Sequence, residues 1–141
     1  MKRIAALTVL LASMSVHSMT CLAQDISGIK TSYARGRLIR ISNMNESSKS
    51  DYTCQIKTYV GAIAALKYGE EETEPYAIII QLKNGRRLFI GLDENLYRGL
   101  SEADLSHVEV TLVKGKRVRV KAYGCGVSGR GDLQASSIEF L

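Results

Sequence analysis

The sequence predicts a mainly β domain in which one short helix separates a hairpin from the last two strands. Three observations support this: several segments alternate apolar and polar residues, an Asn-Gly pair lies between two apolar runs, and helix start and stop signals follow that pair. The resulting order is strand, strand, hairpin, helix, strand, strand. This is the plan of an OB-like barrel of five or six strands with a helix plugging one end. A small β-sandwich is the alternative.

The first residues resemble an export signal. Lys2 and Arg3 precede an apolar run at residues 4–12, which is too short to span a bilayer. Small residues stand at the two positions that a signal peptidase reads, and the second of them is Ala23. We therefore expect residues 1–23 to be a signal peptide and the protein to be secreted or periplasmic.

A lipoprotein acylated at Cys21 is the alternative, although residues 18–20 fit that signal poorly. After cleavage behind Ala23, residues 24–141 would form a single domain without a transmembrane segment, long enough to bury its own core. Removing Lys2 and Arg3 lowers the formal net charge from +5 to +3. The charge alone therefore does not indicate a nucleic-acid-binding protein.

Two cysteines remain after the predicted cleavage, Cys54 and Cys125. In an oxidising compartment the simplest expectation is one disulfide between them. Closing a loop of about 70 residues would stabilise the fold by about 4 kcal/mol in the chain-entropy model.

The first half of the domain contains an arm and two strands. Residues 24–34 are expected to be a loose arm. Residues 36–42 predict a half-buried strand with Ile39 and Ile41 on one face, and residues 43–51 have the composition of a loop.

The second strand is predicted at residues 52–60. There Cys54 shares an inward face with Ile56, Thr58 and Val60. Residues 61–69 either continue this strand or form a short helical turn, and an acidic loop follows at residues 70–74.

The hairpin is predicted at residues 76–92, with its turn at Asn84 and Gly85. Because both residues tolerate positive φ, the pair suits a two-residue turn. The unbroken apolar run at residues 77–80 indicates a strand covered on both faces.

Residues 101–114 have two interpretations. As a helix, Ser101 is the N-cap, Asp104 stands at the third helical position and Gly115 closes the segment. As a strand, Val108, Val110 and Leu112 alternate. The helix is favoured because its start and stop signals agree.

The last two strands are predicted at residues 117–125 and 133–141. In the first, Arg117, Arg119 and Lys121 alternate with apolar residues and so lie on the solvent side. No aromatic residue is interleaved among these cations, so a nucleic-acid site of the OB type is not expected.

No motif indicates an enzyme. His107 is predicted to be a surface residue rather than part of a triad, and no cysteine has a neighbour at metal-ligand spacing. The Arg-Gly-Asp sequence at residues 130–132 is a weak adhesion signal. We expect no catalytic residue, no metal and no cofactor.

Residues 32–58 resemble the start of the B subunits of pertussis-like toxins, subtilase cytotoxin and typhoid toxin. Tyr33, Tyr52 and Cys54 stand in matching places, and residues 111–123 are similar to the helix end, Gly turn and basic strand of those proteins. The hairpin is similar to paired strands of heat-labile-enterotoxin B subunits. The resemblance implies a secreted OB fold, a pentameric ring and binding of cell-surface glycans.

Two departures from this family affect the site. Arg35 stands where sialic-acid-binding members carry Ser, and the second cysteine is Cys125 rather than one in the hairpin. The candidate ligand-binding residues are Tyr33, Arg35, Arg117, Arg119 and Lys121.

We therefore expect a secreted, non-catalytic binding module of the toxin-B-subunit type that binds a glycan. The alternative is a periplasmic envelope protein with a structural or protein-binding role.

Overall fold

The computed structural model describes residues 28–50, 54–125 and 132–141. The predicted signal peptide and most of the Arg-Gly-Asp segment lie outside these residues. The described elements, in chain order, are β1 (Lys30–Ala34), β2 (Arg37–Ser42), a 3₁₀ turn (Glu46–Ser50), β3 (Gln55–Tyr68), β4 (Pro75–Leu82), β5 (Arg87–Gly91), α1 (Glu102–Thr111), β6 (Arg117–Gly124) and β7 (Leu133–Phe140).

Five of these strands close into a barrel. β3, β4 and β5 form an antiparallel meander, β5 pairs with β7 in parallel, and β6 pairs antiparallel with both β7 and β3. α1 lies in the chain between β5 and β6, the third and fourth strands of the barrel. This topology is that of an OB-like barrel with one helix, as the sequence predicts.

The core is built from the inward residues of the barrel strands and one face of the helix. Ile78, Ile80 and Ile90 are fully buried, and Val118 and Val120 alternate with the exposed cations of β6. The helix contributes Val108 and Leu112, which belong to the same apolar cluster. Burial of this cluster is the main stabilisation of the fold.

The helical interpretation of residues 101–114 is confirmed, and the strand alternative is wrong. The Ser101 hydroxyl accepts a hydrogen bond from the Asp104 amide, which makes Ser101 the N-cap. Gly115 takes a positive φ of 89° just beyond the helix. Its amide donates to the Ile63 carbonyl at 2.7 Å, so the end of the helix segment is tied to β3.

The expectation of a loose arm at residues 24–34 is wrong for its last part, because β1 pairs with β2. Arg35 and Gly36 connect them with φ of 50° and 73°, the pattern of a two-residue type I′ turn. Arg-Gly is a weak turn signal, since arginine rarely adopts positive φ.

The strand at residues 36–42 is confirmed as β2, but the prediction that Ile39 and Ile41 share one face is wrong. Ser32 pairs with Arg40 whereas Tyr33 pairs with Leu38, so Ile39 is an extra residue in the ladder. This bulge brings Leu38 and Ile41 to the buried side and leaves Ile39 exposed.

β3 runs through residues 61–69 almost to their end, so the strand interpretation of that segment holds. In the first half of β3 the inward and outward faces are the reverse of the prediction. Ile56 and Val60 are exposed to solvent, whereas Ile63 further along the strand is buried. A register shift between Ile63 and Ala65 bends the strand around the barrel.

The hairpin at residues 76–92 is confirmed as β4 and β5, with a correction at its turn. The Gly85 amide donates to the Leu82 carbonyl, and the Leu82 amide donates to the Arg86 carbonyl. Only Gly85 has positive φ, at 83°, so the loop is a three-residue turn in which Asn84 instead accepts from the Arg86 amide.

Candidate ligand-binding surfaces

A disulfide joins Cys54 and Cys125, as the sequence predicts. Cys54 stands just before β3 and Cys125 just after β6, so both lie at strand ends rather than inside strands. Gln55 pairs with Gly124 in the adjacent ladder position. The bond therefore fixes the end of the β3–β6 ladder. It is compatible with an oxidising compartment.

The first candidate surface is a cleft beside the β4–β5 hairpin, which we call the aromatic cleft. It has a volume of about 760 Å³ and is lined by Tyr76, Phe89 and Tyr97. Residues of the loop between β3 and β4 also line it, as does Asp132, which directly precedes β7. β4 and β5 are the second and third barrel strands, which form the face that OB barrels use for oligonucleotides and oligosaccharides.

The aromatic side chains of the cleft are accessible. Tyr76 and Phe89 are 49% and 48% exposed, and their ring centroids lie 6.1 Å apart at an interplanar angle of 52°. Tyr97 is more buried than these two rings, and this burial raises the pKa of its hydroxyl. Exposed rings that contact one another form a platform for a flat ligand.

The polar lining of the cleft is acidic. Among its described residues, six carboxylates face one guanidinium, that of Arg98; the acidic residues are Glu71, Glu72, Glu74, Asp93, Glu94 and Asp132. Asp93 is occupied internally, because it accepts hydrogen bonds from the Asn45 and Asn95 amides. The remaining carboxylates repel a phosphodiester chain, which disfavours nucleic acid at this face.

Gly91 shapes the floor of the cleft. A Cβ atom at this position would lie 2.5 Å from the side-chain oxygen of Gln134, which also lines the cleft. The absence of a side chain at Gly91 therefore lets the Gln134 amide lie against β5. An amide at that place offers both a donor and acceptors to a ligand.

The second candidate surface is the outward side of β2, β3, β6 and β7, which we call the basic face. Arg117, Arg119 and Lys121 are exposed along β6, as the alternation predicts. Arg119 donates to Glu139 of β7 at 2.7 Å, and Arg40 of β2 approaches the other oxygen of the same carboxylate at 3.8 Å. The hydrogen bond from Arg119 lowers the pKa of Glu139, with both guanidiniums contributing.

A groove of about 490 Å³ crosses the basic face. Its lining combines cations, carboxylates and hydroxyl groups, including Arg40, Arg119, Lys121, Glu46, Glu139, Ser42, Ser136 and Ser137. Two aliphatic residues of β3 share this side: Ile56 is 54% exposed and Val60 is 42% exposed. Val60 pairs with Arg119 in the sheet, so an apolar and a cationic side chain stand next to each other.

The other two sequence-predicted residues lie elsewhere. Tyr33 of β1 packs on α1: its hydroxyl donates a hydrogen bond to Asp104, and its ring meets His107 edge-on at a centroid distance of 5.1 Å. Arg35 is exposed in the β1–β2 turn. The five candidates thus form two groups, a hairpin group beside the helix and a group of cations on β6.

Sequence reasoning missed the aromatic cleft. The available signal was weak: Tyr76 begins the first apolar run of the hairpin directly after the acidic loop, and Phe89 lies within the second run. The sequence does not show that they lie on the second and third barrel strands, because it does not reveal that the barrel begins at β3 rather than at β2.

Two further observations concern the described part of the chain. Within it, no group of three His, Cys, Asp or Glu side chains is arranged to hold a metal ion. No helix there is long and apolar enough to cross a bilayer.

Comparisons with protein-family models, with curated proteins and with solved structures find no match for this chain. The geometry of the two surfaces is therefore the basis for any functional argument.

Proposed function

We propose that the protein is an exported, non-catalytic binding module that recognises a glycan in the aromatic cleft. The observation that carries this proposal is the exposed Tyr76–Phe89 pair on the β4–β5 face. Two accessible rings that contact each other offer an apolar surface to a ligand, and OB barrels use this face for oligosaccharides.

The chemistry of the cleft matches a sugar. The apolar C–H face of a pyranose stacks on an aromatic ring, while its hydroxyl groups donate hydrogen bonds to carboxylates. Glu72 and Glu74 of the β3–β4 loop and Gln134 supply such groups around the rings. The module needs no catalytic group for this role.

The acidic lining also restricts the class of glycan. Because the carboxylates of the cleft outnumber its one guanidinium, that of Arg98, they repel sialic acid, uronic acids and sulfated sugars. The proposed ligand is therefore a neutral or amino sugar. This differs from the sialic acid bound by some of the toxin B subunits that residues 32–58 resemble.

A glycan array followed by calorimetry tests the proposal. Tyr76→Ala and Phe89→Ala should each weaken binding of the best neutral or amino glycan by about fivefold or more, since stacking on one ring contributes roughly 1 kcal/mol or more. Tyr76→Phe is the matched control that keeps the ring and should retain most of the affinity.

Tyr33→Ala tests whether the glycan binds at the sequence-predicted residues of the β1–β2 hairpin, Tyr33 and Arg35, rather than in the aromatic cleft. If Tyr33→Ala abolishes glycan binding and Phe89→Ala does not, the cleft is not the site. An array without any neutral or amino-sugar ligand would leave the periplasmic protein-binding role as the better proposal. Light scattering on the purified protein tests the pentameric ring that the toxin resemblance implies.

A further inference from the structure

We infer that the basic face docks on the surface of a bilayer that contains anionic phospholipids. The inference rests on three observations that are independent of the aromatic cleft: the excess of cations on this face, the aliphatic residues exposed among them, and the groove that they share with hydroxyl groups.

The charge of the face fits a phosphate-bearing surface. Arg40, Arg117, Arg119 and Lys121 supply four cations against two carboxylates, Glu46 and Glu139, so the face keeps an excess of two positive charges. Guanidinium groups bind phosphate oxygens through two parallel hydrogen bonds, which lysine cannot do. The aromatic cleft is acidic whereas this face is basic, so the field of the molecule favours approach of an anionic surface to the basic face.

The exposed aliphatic residues favour an anionic lipid surface over a polyanion such as nucleic acid as the partner of this face. Ile56 and Val60 project from β3 beside Thr58, where a solvated strand would carry polar side chains. Aliphatic groups flanked by cations suit the boundary between headgroups and acyl chains. A nucleic-acid site would instead offer exposed aromatic rings, and Tyr123, the aromatic residue of this groove, is buried.

The groove is the position at which we expect a phospholipid headgroup to bind. It is concave, and Ser42, Ser136 and Ser137 line it beside Arg119 and Lys121. These hydroxyl groups can donate hydrogen bonds to phosphate oxygens and accept them from glycerol hydroxyls. Two copies of the face would repel each other in a symmetric dimer, which argues against self-association through this surface.

Co-sedimentation with vesicles tests the inference. The purified protein should bind vesicles that contain phosphatidylglycerol and phosphatidylcholine, and should bind phosphatidylcholine alone far more weakly. Arg117→Gln combined with Lys121→Gln should weaken binding about 25-fold, because each surface cation contributes about fivefold to the affinity for an anionic membrane.

Lys83→Gln combined with Arg87→Gln is the matched control. It removes the same charge from the β4–β5 hairpin and should change the affinity by less than about threefold. Equal losses in the two double variants would show that only net charge matters and would overturn the inference.

A second pair of variants tests the aliphatic contribution at constant charge. Ile56→Thr with Val60→Thr should weaken vesicle binding by about tenfold. Val110→Thr removes a still more exposed valine, 69% accessible, from α1 and should leave vesicle binding unchanged. If Val110→Thr has the larger effect, Ile56 and Val60 do not contact lipid.

Sedimentation velocity without vesicles addresses the competing partner, a second copy of the chain. The inference predicts that Ile56→Thr with Val60→Thr does not alter the oligomeric state. An oligomer that this variant dissociates would assign the face to self-association and overturn the lipid assignment.

Discussion

The aromatic cleft and the basic face are centred on different strands of one barrel, the β4–β5 hairpin and β6, and carry opposite charge. In the closed ring of strands, β6 is separated from β4 by β3 and from β5 by β7. The cleft combines aromatic rings with carboxylates, whereas the basic face combines aliphatic side chains with guanidinium and ammonium groups. The modest net charge of the chain therefore conceals two strongly charged surfaces.

The difference shows which properties the barrel decides and which it leaves to individual residues. On both surfaces the inward positions hold the same kind of residue, such as Ile80 and Ile90 in the hairpin and Val118 and Val120 in β6. The outward positions differ completely. The fold thus sets where a ligand is met, and the outward side chains set its chemistry.

The largest expected effect follows from removing the disulfide. This bond lies at the end of the β3–β6 ladder, whose strands carry the basic face and not the aromatic cleft. Cys54→Ala combined with Cys125→Ala should lower the free energy of unfolding by about 4 kcal/mol, because the open chain regains the entropy of a long loop. Denaturant titration measures this loss.

Hydrogen exchange then separates the surfaces. The bond clamps the β3–β6 ladder at Gln55 and Gly124, so protection should fall first there and least in the β4–β5 hairpin. A uniform loss of protection would contradict a local clamp, and a stability loss under about 1 kcal/mol would contradict the entropic estimate.

The second prediction compares two glycines. A Cβ at Gly61 would lie 2.4 Å from the Gln81 carbonyl oxygen, so Gly61→Ala requires a backbone shift and should cost about 2–3 kcal/mol of unfolding free energy. A Cβ at Gly91 meets only the end of the Gln134 side chain, which can rotate away. Gly91→Ala should therefore cost less than about 1 kcal/mol.

The two glycine variants should diverge again in binding. Gly61 lies in the strand that both surfaces share, since it pairs with Leu82 of β4 and Val118 of β6. Gly91→Ala displaces Gln134 inside the aromatic cleft, so it should reduce glycan affinity while leaving vesicle binding intact. Calorimetry with the array-selected glycan would contradict this if Gly91→Ala bound as tightly as the parent.

The elements that sequence reasoning predicts correctly have local signals. Ser101 caps α1, the apolar runs around Asn84 form the hairpin, and the alternation along β6 places its cations outward. Each depends on residues within a few positions of one another. The disulfide also follows from the sequence, because only one pairing of the two cysteines is possible.

The features that the sequence does not predict depend on pairing between distant segments. The bulge at Ile39 exists because β2 must match both β1 and β7, which sets Leu38 and Ile41 on one side. Likewise Ile56 and Val60 face outward because β3 pairs with β6, whose Val120 occupies the interior. Alternation alone gives the period of a strand but not which face is buried.

The smallest expected effect concerns the β1–β2 hairpin, which carries Arg40 to the basic face. Asp104 of α1 holds this hairpin by accepting hydrogen bonds from Tyr33 and, at 3.1 Å, from Thr31. The bond from Tyr33 is the main cause that lowers the pKa of the Asp104 carboxyl, and the Ser101 hydroxyl contributes further. A lowered folded-state pKa means that the ionised carboxylate stabilises the fold.

That stabilisation is present above the ordinary pKa of aspartate, near 4, and is lost as the pH falls through the lower folded-state value. Tyr33→Phe should raise the pKa of Asp104 toward its ordinary value and make the acid-side loss of stability shallower. Because water screens this largely accessible site, the stability change at neutral pH should be roughly a few tenths of a kcal/mol. The carboxyl ¹³C shift of Asp104 followed over pH measures the pKa directly, with Tyr68→Phe on β3 as the control.

Since the β1–β2 hairpin contributes to the basic face and not to the cleft, Tyr33→Phe should slightly weaken vesicle binding and leave glycan binding unchanged. An unmoved Asp104 titration in Tyr33→Phe would show that this hydrogen bond does not hold the hairpin.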